Sequence, residues 1–364
     1  MAKKLNVLIL CTGQPSRRMI RSLEAKGHTY EVYNPQDLYL TISDGESGFD
    51  RIYHADPNFE EPVRLKAKNY DVVISRLGDG LSHSTTILRH LTENLGIYCP
   101  QDADGLETAS NKLKTTQRLA MNGLPVPLTA YAANPRHPEF LIKKVGGLPA
   151  IGKLLKGSQG RGVFILETPI AANTSLESFS KLAANFKLQQ FIDAGGKDIR
   201  AIVAGDRVAV AMERQGKKDF RANVSLGGSG KLVTLSKEDQ AICVKASKAL
   251  GLEFSGVDIM KDKKGNTYVI EVNGNPGTKI IDITGHNYFA DLVALVEAKV
   301  SSGKVNANRS PEDKDTGGGI INSVFKAVSG VLNPQKGNTD DYPLTKTDRE
   351  AREAWRKSQE DENS

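Results

Sequence analysis

The sequence is poor in several residue types that would point to common kinds of protein. Cysteine occurs three times in 364 residues, as Cys11, Cys99 and Cys243. The number is odd and no CxxC spacing occurs. That argues against a disulfide framework and against structural zinc, and it fits a reducing compartment, so a cytoplasmic location is expected. Each cysteine reads as a small core residue. Aromatic residues make up 6%, with a single tryptophan, Trp355. No recognisable nucleic-acid motif accompanies them, so nucleic acid is not an expected partner. No stretch approaches the length of a membrane span, and a membrane is not expected either. The start, Met1 to Lys4 followed by Leu5–Leu10, superficially resembles a secretory signal. Its apolar run is too short, is interrupted by Asn6 and ends at Gly13, Gln14 and Pro15, so it reads as a buried first strand. Internal repeats are not evident. Charge of one sign is also lacking, since 49 basic against 43 acidic residues leave a net +6. A mildly basic body of this kind suits nucleic acid and a site for triphosphate and carboxylates equally.

What is present is an ordinary globular composition, 39% hydrophobic and 25% charged, on a chain long enough for two or three packed units. Residues 1–98 read as an α/β unit. Strands at Leu5–Leu10, Thr29–Tyr33 and Val72–Ile74 alternate with a helix carrying Met19, Ile20 and Leu23 and another over His83–Asn94, which implies a mostly parallel sheet. A second unit, 99–187, opens with a helix over Ser110–Asn122 and runs to the strand Ala150–Leu155 and a glycine-rich loop. A third, 188–300, holds strands near Leu188–Ile192, Asp198–Val203 and Arg207–Glu213, a helix at Lys237–Leu250, the hairpin Phe254–Asn273 and a last helix near Tyr288–Val300. The tail, 301–364, is rich in small polar residues and reads as largely disordered. Within it, apolar residues from Ile320 to Leu332 recur at helical spacing, so an amphipathic helix there is expected either to dock a macromolecular partner or to pack on its own body.

The hairpin is the most informative segment. Gly265 and Asn266 form a polar turn between apolar runs. A turn centred between Lys264 and Gly265 puts Asp258 opposite Glu271, with Asn273 on the same face as Glu271. Two facing carboxylates would repel one another unless a cation lay between them, and an oxygen-only set suits Mg²⁺. Lys153, in an apolar strand, precedes the loop from Lys156 to Gly162, whose glycines allow backbone N–H groups to approach phosphate. Taken alone, this loop fits a glycine-rich hairpin without a ligand equally well. It is not a Walker A motif, and neither is Gly227 to Lys231, where Leu232 stands in place of the required Ser or Thr.

Taken in order, seven features over about residues 5–298 resemble the ATP-grasp superfamily and, within it, the RimK-like ligases. They are Val72–Gly78; Ser110, Asn111 and Lys112; Lys153; Gly157–Gly162; Asp198, Ile199 and Arg200; Glu213 and Arg214 with Asp219–Asn223; and Gly256, Val257 and Asp258 with Glu271, Val272 and Asn273. The resemblance implies an ATP-grasp fold of the α/β (α+β) class, in which ATP is held between two α+β subdomains that follow an N-terminal parallel-sheet domain. It implies that Lys112 and Lys153 contact ATP phosphates, together with the loop residues Gly157, Ser158, Gln159, Gly160 and Gly162. Gln190 and Phe191 match the hinge beside the adenine, and Asp198 matches the residue beside the ribose. Mg²⁺ or Mn²⁺, as two ions, would lie on Asp258, Glu271 and Asn273. Arg200, Arg214 and Arg221, with Asn223, would hold carboxylate or acylphosphate oxygens. Two departures stand out. Gln190 replaces a commonly acidic hinge residue, and Gly274, Asn275, Pro276 and Gly277 replace the usual Ala-Ser-Pro-Gly. The expected activity is ATP-dependent ligation of an amino acid, glutamate favoured, to an amine, peptide or protein acceptor, by a homo-oligomeric enzyme. The alternative is a regulatory protein that binds ATP without catalysis.

Overall fold

A computed structural model describes residues 3–42, 52–56, 58–78, 81–155, 162–182, 185–216 and 228–303. The tail with its Ile320–Leu332 stripe lies outside the described residues. No described helix is long and apolar enough to cross a membrane.

The first strand, Asn6–Cys11, is buried almost throughout and lies between Thr29–Tyr33 and Val72–Arg76, both parallel to it. The continuous apolar run is what a central parallel strand covered on both faces requires. Between the outer two strands the chain also makes a small antiparallel meander, Leu38–Leu40, Ile52–His54 and Val63–Leu65. These strands are three residues long and carry no strong alternation.

The helix expected over Ser110–Asn122 is present as Lys112–Met121, and a further helix, Ala103–Ser110, precedes it. Asn111 lies between the two in extended conformation. The Asn111 side-chain oxygen accepts from the N–H groups of Leu113 and Lys114, the bonds of an N-cap. Lys112 is therefore the first residue of its helix.

Four antiparallel strands follow in the order Thr129–Ala130, Phe186–Gln190, Ala150–Leu154, Val163–Leu166. Phe186–Gln190, expected two residues later and in the third unit, is thus an interior strand of this sheet, between Thr129–Ala130 and Ala150–Leu154. Its buried Phe186 and Leu188 alternate into the same small core as Ala150 and Leu166.

The remaining sheet has five antiparallel strands, Ser229–Val233, Arg207–Gln215, Lys197–Ala204, Phe254–Lys261 and Thr267–Asn273. Two large apolar clusters lie on its opposite faces. One joins Ala201, Val257 and Val272 to Leu8, Val73 and the helix residues Leu119 and Cys243. The other joins Ile202, Met212 and Phe254 to Val7, Ile9 and the C-terminal helix residues Phe289 and Val293. Both run continuously from the N-terminal sheet into the five-stranded sheet. The four-stranded sheet keeps a separate core of its own.

Gly105 shows how tightly the first cluster closes. A Cβ at this position would lie 2.1 Å from the Leu250 carbonyl oxygen. Alanine favours helix by about 1 kcal/mol over glycine. Overpacking against backbone costs about 1–3 kcal/mol or more. Gly105→Ala is therefore expected to lower the midpoint of thermal unfolding, and a raised midpoint would show that the helix ends can separate without cost.

Candidate active site

The site grows out of the strand period. On one face of the five-stranded sheet, Ala204 and Ile202 lead along their strand to Arg200 and Asp198, Val210 and Met212 lead to Arg214, and Phe254 leads through Gly256 to Asp258. The apolar end of this face packs against the N-terminal sheet and the C-terminal helix, and the other end is charged. Register places Arg200 beside Asp258 and Asp198 beside Arg214.

Those neighbours form a bidentate network. Arg200 donates through Nε to Asp258 Oδ1 and through Nη2 to Oδ2 at 2.6 Å. Arg214 grips both oxygens of Asp198 at 2.6 Å each, and its Nη2 also lies 3.0 Å from Asp258 Oδ2. Asp258 and Arg214 are each only 5% exposed. Burial pushes the Asp258 carboxyl up, but Arg200 and Arg214 outweigh it and the net direction is down. Asp198 moves the other way. Burial raises it, with Asp258 adding, and this exceeds what Arg214 takes back. For both arginines burial favours loss of the proton, but the facing carboxylates prevail and the shift is upward.

Asp258 does lie opposite Glu271, but by a route the sequence did not show. Lys261 pairs with Thr267 and Ile259 with Val269, so the outer ladder is centred on Lys264. A one-residue bulge before Glu271 then restores the Asp258–Glu271 pairing. With its amide oriented by its neighbours, Asn273 donates to Glu271 Oε1 at 3.2 Å and accepts from Arg200 Nη2 at 3.2 Å. Two carboxylates and one amide oxygen are therefore contiguous. Among the described residues no group of three Asp, Glu, His or Cys side chains is placed to hold a metal. The donor set is the two acids and the amide. A carboxylate has about four lone-pair sites, so arginines on Asp258 leave positions for a cation, and the set fits Mg²⁺. Gly256 lets Pro276 and the Arg200 stem lie close against the strand. A Cβ there would lie 3.1 Å from Pro276 Cβ and 3.3 Å from Arg200 Cδ.

Lys153 faces this cluster from the four-stranded sheet. Burial pulls its amine down to about 8, against the attraction of Glu271, Asp258 and Asp198 and with the help of Lys112. Lys112 is anchored to the same sheet by its N–H, which donates to Leu155 O at 3.1 Å. Gln190 ends its strand, where its N–H donates to Leu128 O at 2.8 Å and its side-chain oxygen accepts from Leu128 N at 3.3 Å. Phe191 follows directly, half-buried. Gly162 has φ +75° and its Cα packs on the Leu154 side chain, so a larger residue there would be strained. Gly157, Ser158, Gln159, Gly160, Arg221 and Asn223 lie outside the described residues.

Four supporting residues were given no role from the sequence. Gln101 donates to Gly274 O and is itself fixed by Ser75 Oγ at 2.6 Å. Tyr288 Oη and Arg76 Nη2 both donate to Pro276 O, at 2.9 and 3.0 Å. Arg76 directly, and Ser75 through Gln101, tie the loop 274–277 to the N-terminal unit, and Tyr288 ties it to the start of the helix Phe289–Ser301. Lys187 is the fourth, and the only available signal was a lysine between the apolar Phe186 and Leu188.

Comparison with known proteins gives the class. The precursor-peptide complex of the ATP-grasp ligase PsnB with AMPPNP superposes with a TM-score of 0.62 at 18% identity, covering 83% of this chain and 100% of that one. The RimK domain protein ATP-grasp from Sphaerobacter thermophilus gives 0.56 at 19% identity, covering 80% and 99%. The fold is that of the ATP-grasp ligases. The model of the RimK-like ATP-grasp domain matches residues 109–296. A protein named probable alpha-L-glutamate ligase from Sodalis glossinidius is 36% identical over 289 residues, covering 78% of this chain and 93% of that protein. One of the same name from Shewanella loihica is 36% identical over 298 residues, covering 81% and 94%. The chain belongs to the RimK-like ATP-grasp family. It is an ATP-dependent carboxylate–amine ligase rather than a non-catalytic ATP-binding protein.

The network sets an order of stabilities. Removing one partner of a buried ion pair costs about 3–5 kcal/mol. Asp258→Asn strips the shared anion from two buried arginines, so urea unfolding without Mg²⁺ should show a loss of that size. Glu271→Gln changes a half-buried group outside the pairs and should stay within about 1 kcal/mol of the parent. Equal stabilities for the two variants would contradict the network.

Proposed function

We propose that this enzyme joins an amino acid, glutamate favoured, to a peptide, protein or small-molecule acceptor through an acylphosphate. ATP would lie between the four-stranded and the five-stranded sheet. The observation that carries this reading is that Lys153, with Lys112 beside it, faces Asp258 and Glu271, which Asn273 adjoins. The printed names of the relatives support glutamate as the added amino acid, and the peptide bound to PsnB supports a peptide-like acceptor.

A carboxylate resists attack by an amine because its oxygen is a poor leaving group. Transfer of the γ-phosphate to a carboxylate oxygen releases ADP and leaves an acylphosphate. Attack by the neutral amine on the carbonyl then gives a tetrahedral intermediate. Loss of phosphate and of the amine proton leaves the amide. Such chemistry rests on positioning and charge neutralisation. In this reading Lys112 and Lys153 hold the phosphates, with the loop 157–162 covering them. Gln190 and Phe191 border the adenine, and Asp198 lies toward the ribose side. Arg200 and Arg214 present planar guanidinium groups to carboxylate or acylphosphate oxygens, joined by Arg221 and Asn223. Asp258, Glu271 and Asn273 would hold Mg²⁺ or Mn²⁺, as two ions whose shells phosphate and water complete. The metal supplies neutralisation of the phosphate charge and orientation of the γ-group. A homo-oligomer acting in the cytoplasm completes the reading.

The decisive experiment is incubation with Mg-ATP, glutamate and a peptide acceptor, read by phosphate release and by product mass. Phosphate release that requires both glutamate and acceptor, with a product heavier by one or more glutamates, is expected. Release without any amide product would sink the proposal. Glu271→Gln should remove turnover at limiting Mg²⁺ while the protein stays folded.

A pH dependence follows from Lys153. Its folded amine, at about 8, lies below the ordinary lysine value, so it is charged at lower pH and neutral above. The rate constant kcat/KM for ATP, which reports the free enzyme, should fall as pH rises through about 8. Lys153→Arg should move that limb to much higher pH. An unmoved limb would remove Lys153 from the phosphate site.

A further inference from the structure

Lys187 is 1% exposed, among the largest fully buried side chains of the described protein. Its strand pairs with Ala150–Leu154 so that Lys187 stands directly opposite Lys153. Its Nζ donates to the Lys112 carbonyl oxygen at 3.0 Å and to Thr116 Oγ1 at 2.5 Å. Both acceptors are neutral. Among the described residues no carboxylate lies within ion-pair distance of it. Like charges directly opposite on paired strands are destabilising, and a buried ammonium without a counter-ion is more so. A structural lysine at this place would therefore be a poor choice, since an apolar side chain of the same length would pack there without that cost.

The surroundings say where the counter-charge belongs. Lys112 is held from two sides by the same sheet, its N–H by Leu155 O and its carbonyl by Lys187. Burial first, and then Lys153 and Lys112, push the Lys187 amine well below the ordinary lysine range, with Glu271 opposing. Three amines thus gather at the edge of the cleft, and of the carboxylates that attract Lys153 only Glu271 also acts on Lys187. A polyanion entering beside them balances what the protein leaves uncompensated.

We propose that Lys187 is a positioning residue of the nucleotide site, which fixes Lys112 against Lys153 and carries its positive charge when a triphosphate lies beside the three amines. It acts from behind the two lysines and does not touch the nucleotide. This rests on the reading that ATP occupies the cleft between the two sheets.

The test uses the full chain with Lys187→Met, which keeps length and flexibility but not charge, and Lys187→Gln, which keeps a donor for Lys112 and Thr116. The dissociation constants of MgATP and of AMP are measured by calorimetry, and thermal midpoints are recorded. For both variants MgATP binding should weaken about tenfold, equivalent to 1.4 kcal/mol, with AMP affected far less. The midpoint should be unchanged or higher in Lys187→Met, because a buried uncompensated amine has gone. A residue that serves packing alone predicts a lower midpoint with equal losses for MgATP and AMP, and that result overturns the proposal. So does unchanged MgATP binding in whichever of the two variants folds. Lys153→Ala separates this inference from its premise. If it weakens MgATP binding and the Lys187 variants do not, only the role of Lys187 fails. If none of the three does, the placement of ATP fails as well.

Discussion

One buried carboxylate organises the charged end of the five-stranded sheet. Asp258 takes both donors of Arg200 and shares Arg214 with Asp198, at a depth where each ion alone would lose several kcal/mol of hydration. The geometry can persist only because the charges satisfy one another and because neighbouring strands hold them in register. Every other part of the site takes its place from this. Asn273 is oriented by Arg200 on one side and Glu271 on the other. Gly256, next to Asp258 on the same face, lets the Arg200 stem and Pro276 approach the strand. The arrangement is stiff and polar, as chemistry that works by preorganised charge requires.

The distribution of apolar contacts complements that rigidity. The five-stranded sheet shares both of its cores with the N-terminal parallel sheet, so Arg200 and Arg214, the group Asp258, Glu271 and Asn273, and the loop 274–277 stand on one continuous support. Lys153 belongs to the sheet with its own small core. Lys112 joins the two parts. Its helix begins against the four-stranded sheet through Leu155 and Lys187, and then packs along Thr267–Asn273. Lys153 on one side and Asp258, Glu271 and Asn273 on the other thus come from separately packed sheets, linked by one capped helix.

Much of this was legible in the residues themselves. The apolar first strand, the alternation through Lys197–Ala204 and Arg207–Gln215 and the polar turn at Gly265 report a period that local sterics impose on any chain. Asp258, Glu271 and Asn273 could be placed on one face because a strand period of two needs no tertiary information. The ordered motifs supplied the family, and with it the expectation for Lys112 and Lys153. Elsewhere the sequence was ambiguous. Ser110 to Asn122 reads as one helix, but the extended Asn111, whose side chain caps the next turn, starts it at Lys112 and sets it apart from the helix Ala103–Ser110.

What the sequence determined alone was the main strands and helices of the N-terminal and five-stranded sheets, the face on which Asp258, Glu271 and Asn273 lie, and the membership of a family. Those follow from periodicity, turn chemistry and motif order, which are local or linear properties. The tertiary structure decided which charges meet. That Arg214 bridges Asp198 and Asp258, that a bulge rather than the turn sets the Glu271 register, and that Phe186–Gln190 lies inside the four-stranded sheet all depend on pairing between distant segments. Lys187 is the clearest case. In sequence it is one lysine among many, and its burial against Lys112 and Lys153 exists only because a helix start and two strands close around it, excluding the water that would otherwise solvate its charge.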